Sequence, residues 1–97
     1  MKLEGKFKTD LIHELEEMFP DILILKNDPN YIQGIPDLTL FWHDKYAMLD
    51  TKQHKKAAVQ PNQSYYINMI NEWTYAAFVY PENKEEVLDA LQRSFNA

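Results

Sequence analysis

At 97 residues the chain is long enough for one compact domain and too short for two, so any functional site must come from a single core or be completed by a second copy. A hydrophobic content of 45% and an aromatic content of 13% are enough to bury a sheet, while the absence of cysteine excludes disulfides, thiolate metal sites and cysteine nucleophiles and fits a reducing compartment. The formal charge of −5 argues against indiscriminate coating of nucleic acid, yet Lys52, Lys55 and Lys56, with His54 among them, form a local basic run where a polyanion would bind.

Met1 is followed by Lys2, Glu4, Lys6 and Lys8, and no long uncharged apolar run occurs, so neither a secretory leader nor a membrane span is expected. Phe7, Leu11, Leu15 and Met18 recur at helical spacing until Pro20, which predicts an amphipathic helix over 4–18. At about 100° per residue, Glu4 projects within roughly 60° of that stripe and should look inward, whereas His13, Glu16 and Glu17 should face out. Glu14 lies at the stripe's edge. Ile22 to Leu25 predicts a first strand, extending through Lys26, and the stretch NDPNYIQGIP predicts a loop.

Leu38 to Trp42 and Tyr46 to Thr51 predict an antiparallel hairpin joined by His43, Asp44 and Lys45. Gln60-Pro61-Asn62-Gln63 predicts the opening of a second helix, with proline in its first turn. Thr74 to Tyr80 predicts a fourth strand. Asn83 with Glu86 has the spacing of a capping box ahead of a third helix carrying Val87, Leu88, Leu91 and Phe95. The order αβββαβα describes an α/β sandwich, a mixed sheet with helices on its faces.

Within this frame the stretch GIPDLTLFWHDKYAMLDTK is where chemistry collects. Alternation along a strand sends Asp50 and Lys52 to one side and Thr51 to the other, and a hairpin paired outward from its turn sets Asp37 opposite that region. Two carboxylates in one partly dry site require a shared proton or cation. Mg²⁺ or Mn²⁺ is the natural occupant of an all-oxygen site, and a lysine beside it can stabilise charge on a phosphate. Phosphodiester hydrolysis is the chemistry these groups suggest.

Gly34-Ile35-Pro36-Asp37, followed after two strands by Leu49-Asp50-Thr51-Lys52, resembles the signature of the PD-(D/E)XK nuclease superfamily, and Glu4 looks like the extra acid of its Holliday-junction-resolvase and VRR-NUC branches. Gln60 to Tyr66 opening a helix, Phe78-Val79-Tyr80 in a strand and Pro81-Glu82-Asn83 look like the tail of small phage-encoded members. The resemblance implies a restriction-endonuclease-like αβββαβ core with a mixed four-stranded sheet flanked by helices, plus a C-terminal helix.

It further implies that Asp37, Asp50 and the Thr51 backbone carbonyl bind Mg²⁺ or Mn²⁺, with Glu4 binding directly or through water. Lys52 would be the catalytic lysine, and Gln63 would support it or the phosphate. The implied activity is metal-dependent cleavage of DNA, branched or flap-containing, by a homodimer in the cytoplasm, the host's if the chain is phage-encoded. One position departs from the pattern: relatives with this GIPD sequence mostly carry Glu where Asp50 stands, one methylene longer.

Other roles stand beside these. His54, Lys55 and Lys56 can be solvated loop residues or phosphate contacts, and Tyr31 is an aromatic that can stack on an unpaired base. Asp37 can cap a turn, Glu4 can be a solvated first-turn acid, and Gln63 a polar first-turn residue. His13 and His43 are expected at the surface; Trp42, Trp73, Tyr65 and Tyr66 are expected in core or interface packing. The alternative to an enzyme is a noncatalytic DNA- or protein-binding module on the same fold, and blander still is a small acidic interaction domain.

Overall fold

The computed structural model describes residues 3–97, with side chains from Gly5 onward. Helix α1 (Leu3–Met18) is followed by β1 (Leu23–Lys26), β2 (Leu38–Trp42), β3 (Lys45–Thr51), α2 (Pro61–Asn71), β4 (Tyr75–Val79) and α3 (Lys84–Phe95). The strands form one sheet in the order β1-β2-β3-β4, antiparallel except for the parallel pair β3 and β4, so the sheet is mixed. A parallel pair needs a crossover, and α2 supplies it.

Period decides which face each residue serves. Leu11, Leu15 and Phe19, one turn apart, are buried against Leu38, Leu40, Ala47, Leu49 and Val79 and against Val87, Leu88, Leu91 and Phe95 of α3. The alternate strand positions, Met48, Ala76 and Phe78, pack with Ile67 and Ile70 of α2. Helices α1 and α3 therefore cover one face and α2 the other. Among the described residues no helix is long and apolar enough to cross a membrane.

Two details differ from the expectations. The hairpin turn has two residues, since Lys45 pairs with Trp42, and His43 takes a positive φ of 58° at the first turn position, which suits the twist of the flanking strands. The capping box expected at Asn83 and Glu86 is absent, with no side-chain cap at the start of α3. Asn83 is committed elsewhere: its Oδ1 accepts from the Tyr80 N–H at 2.8 Å and its Nδ2 donates to the Phe78 carbonyl at 3.0 Å, clamping the end of β4. Asn83→Ala leaves both half-buried backbone groups unpaired and is expected to cost about 2 kcal/mol in urea unfolding. A loss below about 0.5 kcal/mol would mean that water replaces the clamp.

Of the four aromatics expected in packing, Trp42 meets Phe19 and Phe95 ring to ring in the core, and its Nε1 donates to the Pro20 carbonyl at 2.9 Å. Tyr66 packs against the Ile67 and Ile70 cluster, and Trp73 and Tyr65 lie outside the core, exposed in the single chain. His13 and His43 are exposed, as expected.

Candidate metal and phosphate site

The site forms where the carboxyl ends of the parallel strands β3 and β4 meet the start of antiparallel β2, a place where the sheet leaves a crevice. Leu38 pairs with Leu49, so Asp37 and Asp50 continue the ladder on facing strand ends. Asn27, which the sequence offers only as a turn former, pins this end. Its side-chain amide donates to the Pro36 carbonyl at 2.8 Å and to Thr39 Oγ1 at 2.7 Å, and its N–H donates to the Asp37 carbonyl at 2.8 Å.

Asp37 is held by three donors. Oδ1 accepts from the Thr51 N–H at 2.9 Å, and Oδ2 accepts from Thr51 Oγ1 at 2.6 Å and lies 2.8 Å from Lys8 Nζ. Asp50 is in the opposite situation. It is 4% exposed, its Oδ2 has no hydrogen-bond donor, and the nearest cation, Lys52 Nζ, stands 3.7 Å away, too far for a hydrogen bond. Burial first, and the negative charge of Asp37 second, push its carboxyl up to about 6, against the opposing pull of Lys52.

Lys52 is fixed from several sides. Its Nζ donates to Gln63 Oε1 at 2.8 Å and to the Ala58 carbonyl at 3.3 Å, and sits 5.7 Å from the centre of the Phe78 ring. Gln63 Oε1 also accepts the Gln60 N–H at 2.9 Å, so the first turn of α2 and the lysine share one acceptor. That turn is seated by Gly34, whose φ of +88° and lack of a side chain let Asn62 lie directly against it. The GIPD loop and the α2 start are thus one packed unit.

Asp37, Asp50, Thr51, Lys52 and Gln63 are therefore brought together. A groove of about 560 Å³ is lined by Asp37, Thr51 and Lys52 of this set, together with Lys8 and Lys26 among others, while Asp50 and Gln63 lie behind its wall. A second groove of about 360 Å³, which shares Lys52 and Ala57 with the first, is lined by His54, Lys55, Phe78 and Tyr80 among others. Lys56 and Tyr31 line neither; Tyr31 is 85% exposed in the 27–36 loop. The Glu4 side chain lies outside the described residues, although its backbone belongs to α1, one turn before Lys8. Among the described residues no three acid or histidine side chains gather around one point.

Lys8 is the participant that sequence reasoning missed. Its signal was its position one turn after Glu4, but periodicity alone cannot say that α1 delivers a cation to a carboxylate at the head of β2. The donor set suits a hard divalent ion: two carboxylates on facing strands, one with a buried oxygen that nothing satisfies. Comparison of the chain with known protein families, with curated proteins and with solved structures returns no match.

Proposed function

We propose that this chain is a metal-dependent endodeoxyribonuclease of the PD-(D/E)XK type, acting on branched or flap DNA as a homodimer. The observation that carries the reading is the buried, donor-less Oδ2 of Asp50, set 3.7 Å from an ammonium and facing a second carboxylate across the hairpin. A buried carboxylate oxygen without a donor is costly to keep, and a bound cation would offset that cost.

Asp37, Asp50 and the Thr51 carbonyl would hold Mg²⁺ or Mn²⁺, with Glu4 as a further candidate. When bound, such an ion polarises a phosphoryl oxygen and lowers the pKa of its water. The chain's own residues do the rest. Thr51 orients the Asp37 carboxylate through its N–H and hydroxyl. Gln63 holds Lys52 with its ammonium beside Asp50, where it can stabilise charge developing on the phosphate. The groove lysines offer the cationic path a phosphate backbone needs on a chain whose net charge is −5. Leu23, Phe41 and Tyr46, adjacent in register and exposed on one sheet face, support the dimer.

A second reading, a noncatalytic DNA-binding module, is favoured by one observation: Lys8 already neutralises Asp37 without a metal. Cleavage of labelled duplex, single-stranded, flap and four-way-junction DNA separates the two. The expected result is cutting with Mg²⁺ or Mn²⁺, none in EDTA, and loss of at least about 10³-fold in Asp37→Ala and Lys52→Ala. Binding of the same DNAs without cutting under any of these ions would establish the module instead.

A further inference from the structure

Among the described residues, four charged side chains pair at the site, and they balance: Asp37 and Asp50 against Lys8 and Lys52. A divalent cation entering such a cluster gains little unless one ammonium leaves. The two lysines differ in how they are held. Lys52 is 13% exposed and engages Gln63, the Ala58 carbonyl and the Phe78 ring in addition to Asp50. Lys8 is 35% exposed and lines the groove, and among the described residues Asp37 is its one polar partner.

We propose that Lys8 is an exchangeable stand-in for the metal: it neutralises Asp37 in the metal-free protein, is displaced when the ion binds, and moves into the groove, where it takes a phosphate of the DNA. This rests on the metal-site reading above and adds a sequence of events to it. Before exchange the four groups sum to zero. Afterwards the ion, two carboxylates and Lys52 sum to +1, and the freed Lys8 adds a further charge to the groove. Loading the ion thereby raises the positive charge of a groove that Lys26 also lines, so the DNA is gripped more tightly by a site already able to act on it.

A purely structural role for Lys8, tethering α1 to the sheet, predicts something different. Leu11 and Leu15 bury α1 without its help, and a half-exposed ion pair contributes at most about 1 kcal/mol. The two roles part on ion affinity. Mn²⁺ binding by the full chain, measured calorimetrically at pH 7.5, should be at least about tenfold tighter in Lys8→Met than in wild type, because the competing ammonium is gone. Lys8→Arg, which keeps the charge, should stay near wild type, and Asp37→Ala should not bind.

The opposite sign is expected for DNA. At saturating Mn²⁺, a nuclease-resistant phosphorothioate oligonucleotide should bind Lys8→Met several-fold more weakly than wild type, in a fluorescence anisotropy titration. Tighter ion and weaker DNA in one variant is a combination that partial unfolding cannot produce. In wild-type protein labelled with ¹⁵N-lysine, the Lys8 ammonium resonance should move on addition of Mg²⁺. If wild type binds Mn²⁺ and Lys8→Met binds it no tighter, the exchange is overturned while the metal site stands. If wild type binds no Mn²⁺, both are overturned.

Discussion

Asp50→Asn is expected to unfold at a higher temperature than wild type at pH 7.5 without divalent ions, a gain of about 2–3 kcal/mol from a substitution that should also abolish cleavage. The gain follows from the burial of a carboxylate whose Oδ2 meets no donor, with Asp37 close by. Its carboxyl titrates at about 6 in the folded chain against 3.8 unfolded, so the folded state binds this proton more tightly than the unfolded state does. The stabilising contribution is complete below about pH 4, shrinks as pH rises through 6, and is gone by about pH 7.5.

Asparagine stays neutral throughout. The two proteins should therefore be alike in this respect at pH 3.5 and diverge across the interval from about 4 to 6. Millimolar Mg²⁺ should reverse the order by raising the melting temperature of wild type and not that of Asp50→Asn, since an ion that binds only the folded state stabilises it. Paired thermal melts across pH, with Mg²⁺ and with EDTA, read all of this. Equal stability at pH 7.5 in EDTA would mean that the Asp50 oxygen has a donor and that no ion is needed to explain it.

Gly34→Ala is expected to lower stability by about 3 kcal/mol, on the order of 10 °C or more in melting temperature for a domain of this size. Two penalties coincide. At a φ of +88° any Cβ is sterically disfavoured, and here it would lie 2.3 Å from Asn62 Cβ and 2.8 Å from the Asn62 carbonyl carbon. The second contact is with backbone at the first turn of α2, so relief requires the helix to move rather than a side chain to rotate. Because that turn carries Gln63, and Gly34 lies three residues before Asp37, the displacement should separate Lys52 from its acceptor as well. A cleavage defect larger than the loss of folded protein, measured at a temperature where the variant is still folded, would show that second effect. A drop of less than about 1 kcal/mol would mean that the loop and helix are not one packed unit.

The expectations that held are those in which a local pattern has one physical solution. Leu11 and Leu15 recur at the helical period, so α1 had to bury that stripe. Ala47 and Leu49 against Met48 and Asp50 alternate at the strand period, so β3 had to split them between faces. The facing of Asp37 and Asp50 followed from the hairpin register, with the turn shorter by one residue than expected. Asn83 misled because its spacing to Glu86 fits a capping box, while the end of β4 offered two backbone partners that the sequence does not display.

What the sequence by itself determined is the order αβββαβα, the mixed sheet, the separation of Asp50 from Thr51 across it, and the presence of acids and a lysine at one end of a hairpin. Those depend on contacts between residues near in the chain or bound by a fixed period. Only the tertiary structure decided the electrical state of the site. Lys8 reaches Asp37 from α1, Gln63 reaches Lys52 from α2, and Asp50 loses its solvent, because separate elements close over one point. Charge, solvation and hydrogen-bond supply at a point are sums over everything packed around it, and no stretch of chain contains that sum.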